Sequence, residues 1–205
     1  MEGRSDSSLF KSEVGDGVYL IVNTFQREIK VHVRKFETTC TGKLYATKRG
    51  ICMPPKRFAN FMFLEAEITR RVEAKLNGQA EKRQISFNEE GEITSLGEEW
   101  RRHIGGGQFV SICDEFERVD LRLFFKPEDS EGPIPTRLGV GIVLKNWSKL
   151  VEAMKHVREL YTPLKNAQTC FTGEDHQNQM GFFQCKECCP FGPDYSFNEK
   201  GLAKK

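Results

Sequence analysis

The stretch IKVHVR at residues 29–34 alternates apolar side chains with charged or polar ones, and VDLRL at residues 119–123 repeats the pattern about ninety residues later. Successive side chains of a β-strand point to opposite faces of its sheet, so this alternation is typical of a strand with one buried face. Two such strands at this separation indicate an internal repeat if the sequence around each also matches.

The same order of features surrounds both strands. Each follows an apolar run, a Phe and a turn, and each precedes a polar loop, a basic turn, a short strand and a helix. In the first copy we predict strands at residues 43–47 and 51–53, separated by a tight turn at residues 48–50. The pattern predicts an α+β fold of two tandem ββββα units, each an antiparallel sheet with a C-terminal helix. The alternative is a chance succession of alternating strands.

Each unit is predicted to end in a helix with one apolar stripe. Pro54 and Pro55 begin the first helix, because the N–H that proline lacks would be unpaired there anyway, and the pair Asn77-Gly78 ends it. Pro163 ends the second helix. The stripes recur every three or four residues and consist of Phe58, Phe61, Met62, Ile68, Val72 and Leu76 in the first helix and of Trp147, Leu150, Val151, Met154, Val157 and Tyr161 in the second.

The predicted organisation divides the chain into five segments. A flexible N-terminal segment covers residues 1–14, the first unit 15–78, a polar linker with a hairpin turn at residues 88–91 covers 79–104, the second unit 105–164, and a Cys-rich tail 165–205. A small sheet with one helix buries little surface alone. We therefore expect the two helix stripes to pack on each other, with the sheets outside, as an intramolecular pseudo-dimer.

Overall composition predicts a folded chain and says little about its partners. Hydrophobic residues make up 38% of the chain and charged residues 29%, and the formal net charge is +2. No run approaches the roughly 20 apolar residues that a membrane helix needs. The seven cysteines lack the spacing of a disulfide framework, which favours a reducing compartment.

The distribution of charge distinguishes the two units. Residues 15–58 contain nine basic and three acidic side chains, a net charge of +6, whereas residues 106–147 contain five basic and seven acidic ones, a net charge of −2. On the strand at residues 29–34, Lys30, His32 and Arg34 share the polar face. Cations beside aromatic faces are what single-stranded nucleic acid binds, although a charged outer face is also ordinary solvated surface.

The first unit resembles the single-stranded-DNA-binding domain of the transcriptional coactivators called positive cofactor four. The resemblance covers about residues 15–76 and is carried best by KRGICMPPKRF at residues 48–58, where a basic pair, Gly-Ile, a short apolar step, Pro, two polar residues and an aromatic follow the family's register. The strand at residues 29–34 and the preceding Phe25 also fit. Residues 107–161 resemble the same domain to a lesser extent.

The resemblance implies a curved four-stranded sheet followed by a long helix, with two copies paired through their helices and single strands or an opened duplex held on the sheets. It also implies a nuclear protein of RNA polymerase II transcription, with single-stranded or melted DNA and transcription proteins as partners; RNA is open as well. Both copies lie in one chain here, unlike the family's one-domain homodimer. The resemblance implies that Phe25 stacks on a base and that Arg34, Lys48 and Arg49 contact phosphate. Arg27 stands at the turn where the family has lysines, and it would take over their role.

The predicted nucleic-acid-binding residues combine the resemblance with the charge pattern. The match between the units places Phe124 at the position that Arg34 has in unit one. Phe25 and Phe116 could equally be core residues. Because phosphate neutralisation dominates affinity, we expect unit one to carry most of the binding. The full set is Phe25, Arg27, Lys30, Arg34, Lys43, Lys48, Arg49, Phe116, Arg118 and Arg137.

The tail contains a second candidate site. Cys185 and Cys188 form a CxxC pair, a spacing typical of zinc knuckles, and Cys170 with His176 could complete four ligands, although at a spacing that is not standard. The alternatives are a loose tail and redox-sensitive thiols. We therefore predict no cofactor, with zinc at these four residues as the open alternative.

The sequence favours a binding protein over an enzyme. It contains no phosphate-loop signature and no HExxH pair, and its four histidines lie far apart. We expect no small-molecule substrate and no membrane. The competing hypothesis is a protein-interaction module that keeps the fold but binds transcription or chromatin proteins. Nucleic-acid binding should weaken steeply as salt rises, whereas an apolar protein interface should not.

Overall fold

The computed structural model describes residues 8–78, 86–87, 93–95, 100–113, 117–130, 132–170, 176 and 179–192. The first unit is a four-stranded antiparallel sheet with its strands in sequence order, followed by a helix. Its elements are β1 (Phe10–Gly15), β2 (Val18–Phe25), β3 (Glu28–Thr38), β4 (Leu44–Met53) and α1 (Pro55–Leu76).

The second unit has the same architecture. Ahead of it, β5 (Ser86–Phe87) pairs with β6 (Ile93–Ser95), and the hairpin turn predicted between them, at residues 88–91, lies outside the described residues. The unit consists of β7 (Trp100–Gly105), β8 (Gln108–Cys113), β9 (Arg118–Phe125), β10 (Ile134–Val143), a short 3-10 turn (Leu144–Asn146) and α2 (Trp147–Leu160). Short helices α3 (Thr162–Lys165) and α4 (Gln179–Gln184) follow. The predicted α+β class and the two tandem sheet-plus-helix units are confirmed.

One apolar core joins the inner faces of both sheets to both helices. Alternation along the strands buries Leu20 and Val33 in unit one and Val110 and Leu121 in unit two. Both helix stripes pack against them, with Met62 and Tyr161 half-buried and Tyr161 directly after the end of α2. The predicted helix limits at Pro55 and Asn77 are confirmed. Leu76, the last residue of the first stripe, is exposed because α1 ends there. No helix in the described part of the chain is long and apolar enough to cross a membrane.

The predicted strand assignments need correction at the start of each unit and within β4. Residues 10–14, predicted to be flexible, belong to β1, and residues 100–104, predicted to be linker, belong to β7. The expected turn at residues 48–50 lies inside the continuous strand β4. Both first strands lie at sheet edges, and β1 buries only Val14 fully, so alternation is a weak signal there.

A wide bulge explains why residues 48–50 look like a turn in the sequence. Arg34 pairs with Gly50 and Phe36 with Ala46, so three residues of β4 oppose the single Lys35 of β3. A Cβ on Gly50 would lie 2.5 Å from the Val33 carbonyl oxygen, which is why glycine is required where the strand returns to register.

Unit two repeats this bulge at equivalent residues. Arg122 pairs with Gly139 and Phe124 with Pro135, so β10 also has three residues opposite one. Thr47 Oγ1 donates to the Lys35 carbonyl at 2.8 Å, and Thr136 Oγ1 donates to the Leu123 carbonyl at 2.7 Å. Arg122 is therefore the equivalent of Arg34, and the predicted match of Arg34 with Phe124 is wrong by two residues, because it assumed one constant offset along the chain.

The two units meet at two matching joints. At the first, Asn146 Nδ2 donates to Asp16 Oδ2 at 2.7 Å. At the second, Arg57 lies beside Gly106. The turns after β1 and β7 begin at Gly15 and Gly105, so Gly106 is the equivalent of Asp16. Arg57 and Asn146 are equivalent because each follows by four residues a matching strand residue, Met53 or Ile142. Each unit therefore places the start of its helix against the β-turn of the other.

A second set of contacts between the units is also reciprocal. Trp100 Nε1 donates to Glu67 Oε1 at 2.9 Å, and the ring of Phe10 lies 5.5 Å from that of His156. Phe10 and Trp100 begin the first strands of the two sheets, and Glu67 and His156 are equivalent positions of α1 and α2. Equivalent positions of the two units therefore take part in both contacts.

Candidate functional site

A groove of about 1140 Å³ lies where the edges of the two sheets meet, between β4 of unit one and β9 and β10 of unit two. Its lining contains six cationic and two acidic side chains, a net charge of +4. The cations are Lys35, Lys48, Arg49, Arg118, Arg122 and Arg137, three from each unit. Such a groove can neutralise the phosphates of a bound nucleic-acid strand.

The bulges place cations at the rim of this groove. Residues that bulge out of β4 and β10 include Lys48 and Arg137, which occupy equivalent positions and are both exposed. Arg49 is exposed over 68% of its side chain, and its guanidinium forms a distant ion pair, at 3.9 Å, with Glu37. The extra residues do not pair in the ladder; the Thr that begins each bulge bonds back to the neighbouring strand, and Lys48 and Arg137, which follow it, are exposed.

The two carboxylates of the groove are occupied by contacts within the protein. Asp120 accepts two hydrogen bonds from the Arg122 guanidinium, at 2.8 and 2.9 Å, and this pairing raises the pKa of Arg122. Asp16 accepts from Asn146. The Asp16 backbone carbonyl also accepts from the Lys35 ammonium. Arg122 thus offsets the charge of Asp120, and the remaining five cations outweigh the single charge of Asp16.

The structure distributes the predicted nucleic-acid-binding residues over two regions. Lys48, Arg49, Arg118 and Arg137 line the groove. Phe116 lies outside the described residues. The other five are elsewhere on unit one: Phe25, Arg27, Lys30, Arg34 and Lys43. Lys35 and Arg122 also line the groove but were absent from the predicted set, and the sequence offered only their positive charge as a signal.

Phe25 is an exposed aromatic rather than a core residue. It ends β2 with 61% of its surface exposed, and the following turn places Gln26 and Arg27 at positive φ, 53° and 64°. Pairing with Glu28 puts Phe25 on the same sheet face as Lys30, whose ammonium is paired with Glu28. An exposed ring beside cations is able to stack on a base. Lys43 is exposed in the loop before β4.

The polar face of β3 is more buried than its sequence suggests. Burial, together with the neighbouring Arg34 and Lys30, lowers the pKa of His32 to about 4, and His32 Nε2 lies 3.0 Å from Asn23 Oδ1. The Nε of Arg34 is buried and has no hydrogen-bond partner among the described residues. His32 is therefore a neutral structural residue, and the charge of this face comes from its lysine and arginine.

A cation over an aromatic pair recurs on both sheets. The Lys11 ammonium lies 4.2 Å from the ring centre of Phe36, which packs edge-on against Tyr19. In unit two, Arg101 lies 4.8 Å from the ring of Phe124. Phe36 and Phe124 are both buried, so neither ring has a free face for a nucleobase. These clusters stabilise the sheets.

The described part of the tail is folded against the units and contains a compact cluster of three cysteines and one histidine. The ligand atoms of Cys170, His176, Cys185 and Cys188 all lie within 4.8 Å of one another. Cys170 Sγ lies 3.4 Å from Cys185 Sγ and 3.8 Å from His176 Nε2, and Cys188 Sγ lies 3.7 Å from His176 Nδ1. This cluster could hold a metal ion, and these are the four residues singled out in the sequence.

No family model matches this chain, and no curated protein matches it. The resemblance to the positive cofactor four domain therefore rests on the residues that carry it.

Proposed function

We propose that this chain is a single-stranded-nucleic-acid-binding protein of the positive cofactor four type, acting in the nucleus in RNA polymerase II transcription. The observation that carries the proposal is the groove between the two sheets, with its six cations and its two internally bonded carboxylates. Phosphate neutralisation dominates the affinity of such proteins. The exposed ring of Phe25 adds a base-stacking surface on the face of unit one.

The arrangement of the units as a pseudo-dimer belongs to the same proposal. The reciprocal joints at Asp16 and Gly106, and the reciprocal pairs of Trp100 with Glu67 and Phe10 with His156, support a pseudo-twofold relation between the units. Such a relation would let each unit contribute the same bulge to one shared groove.

Zn²⁺ is the metal that best fits the donor set of the Cys and His cluster.

How much of the binding affinity each unit contributes depends on whether the groove or the outer face of unit one makes most of the contacts. The groove takes three cations from each unit, whereas Phe25, Arg27, Lys30 and Arg34 belong to unit one alone. We propose that unit one contributes more, through this additional face. Replacing a groove cation of unit one should then weaken binding no more than replacing its equivalent in unit two, while Phe25→Ala should weaken binding through the additional face of unit one.

The test is fluorescence anisotropy of the full chain with labelled single-stranded and double-stranded DNA and RNA at two salt concentrations. The proposal expects single-strand binding that weakens steeply between low and high salt. Binding that is absent at low salt would contradict it and would favour the competing function, a protein-interaction module. Exposed apolar side chains near the groove, such as Leu138 and Ile134, are the observation behind that alternative. Equal binding to DNA and RNA would leave the groove proposal standing and remove the DNA preference.

A further inference from the structure

We propose that Cys170, His176, Cys185 and Cys188 bind one Zn²⁺, and that the metal holds Glu187 in place to complete the second joint between the units. The proposal does not depend on nucleic-acid binding. Three thiolates and one imidazole form a donor set typical of structural zinc sites. Tetrahedral bond lengths of about 2.3 Å to sulfur and 2.0 Å to nitrogen separate two sulfurs by about 3.8 Å and a sulfur from a nitrogen by about 3.5 Å. The observed separation of the Cys170 and Cys185 sulfurs is 3.4 Å, and whichever ring nitrogen of His176 binds the metal, one ligand sulfur lies close to the expected distance from it: Cys170 Sγ is 3.8 Å from Nε2, and Cys188 Sγ is 3.7 Å from Nδ1.

The cluster is anchored by residues that are not ligands. The backbone N–H of Cys170 donates to Asn60 Oδ1 at 2.9 Å, and Asn60 Nδ2 donates to the Ile104 carbonyl at 3.2 Å. Asn60 is a buried polar residue on α1, so it ties the first ligand to the helix of unit one and to β7 of unit two at once. The CxxC turn is closed by a backbone hydrogen bond from Cys189 to the Cys185 carbonyl, at 2.8 Å.

Glu187, one of the two residues between the CxxC cysteines, contacts the second joint directly. Glu187 accepts two hydrogen bonds from the Arg57 guanidinium, at 2.9 and 2.7 Å, and its backbone carbonyl accepts from the Gly106 N–H at 2.9 Å. Arg57 is only 14% exposed at its side chain and Glu187 25%, so this forked pair is largely shielded from water. Forked arginine–carboxylate pairs are among the stronger hydrogen-bonded pairs.

Comparison of the two joints explains why the tail is needed at only one of them. At the first joint the carboxylate comes from the β-turn itself, because Asp16 accepts from Asn146. At the second joint the turn has Gly106 in place of Asp16, and it therefore has no carboxylate to offer Arg57. Glu187 supplies that carboxylate from a residue 130 positions away in sequence from Arg57. The zinc site thus positions a side chain that the second repeat lacks.

The test begins with the metal content of the full chain. Protein purified under reducing conditions should contain one equivalent of Zn²⁺, and replacement by Co²⁺ should give the visible absorption of a tetrahedral thiolate site. Cys185→Ser should lose the metal, whereas the matched variant Cys189→Ser, at a buried cysteine outside the ligand set, should keep it. Protein without metal, a disulfide between Cys170 and Cys185 in the reduced preparation, or equal loss in both variants would overturn the proposal.

The link to the joint is tested by melting temperatures with and without metal. Glu187→Gln should keep the zinc and lower the melting temperature by about 2–4 °C. If the metal positions Glu187, the same substitution should have little further effect in chelator-treated protein, because the two perturbations remove one interaction. Asp16→Asn, at the first joint, is the control and should lower the melting temperature equally with and without zinc. Additive effects of chelation and Glu187→Gln would refute the link.

Discussion

The groove predicts how steeply binding depends on salt. Arg122 is paired with Asp120, so five groove cations are left to contact phosphates. Contacts to a single strand change log K by about −0.7 per phosphate for each tenfold rise in salt, so five contacts give a slope of about −3.5 and an affinity that falls by about 130-fold between 50 and 200 mM salt. Lys48 and Arg137 occupy equivalent bulge positions on opposite sides of the groove. With Lys48→Gln and Arg137→Gln combined, about three contacts remain, and the slope should drop to about −2, with a loss of about 20-fold over the same range.

The assay is anisotropy of a labelled single strand over a series of salt concentrations, with the slope as the readout. A change in slope reports the number of phosphate contacts, whereas a loss of folded protein lowers the apparent concentration of sites at every salt. The matched control is Lys149→Gln with Arg158→Gln, which removes two exposed cations of α2 outside the groove. Equal changes of slope in the groove and control variants would refute the assignment of binding to the groove.

Three further predictions concern single side chains. Phe25→Ala should weaken single-strand binding by about 5- to 150-fold through lost stacking. The free energy of unfolding should change by less than about 0.5 kcal/mol, because the ring is exposed. Urea denaturation checks this, and a large loss of stability would place Phe25 in the core. Burial lowers the pKa of His103 to about 3, and its Nε2 accepts from the Gly107 N–H. The unfolded histidine binds a proton below about pH 6.5 and the folded one does not, so stability should fall by about 2 kcal/mol between pH 7.5 and 5, and His103→Gln should remove that share of the pH dependence. Trp147→Ala should cost about 3–5 kcal/mol and should unfold both units in one urea transition, because Trp147 packs on Phe61 of the other helix; two separate transitions would contradict the shared core.

Local sequence patterns were sufficient for the elements that bury one regular face. The alternation of β3 and β9 and the stripes of α1 and α2 were readable because period and burial coincide within one element. The prolines at 54 and 55 and the glycine at 78 marked the limits of α1 correctly. The edge strands β1 and β7 could not be predicted in this way, because an edge strand with few buried residues shows little alternation of apolar and polar side chains.

The bulges limited how far the repeat could be aligned from sequence. A sequence alignment of the two units with one offset matches Phe124 to Arg34, but the strand pairing in the two sheets shows that Arg122 is the equivalent of Arg34. The equivalence became visible only when the strand pairing on both sides of each bulge was known. The difference matters for function, because Arg122 lines the groove and Phe124 is buried in its sheet.

The sequence by itself determined the tandem sheet-plus-helix units, the buried stripes that join them, the positive charge of unit one and the four residues able to hold a metal. Only the tertiary structure decided which of those charges share a groove, that Phe25 is exposed, and that Glu187 completes the joint at Arg57. Periodicity reports the environment of neighbouring residues, since it arises from the geometry of one strand or helix. A groove built from two sheet edges, and a joint between residues 130 positions apart, depend on how separate elements pack, and no local pattern records that.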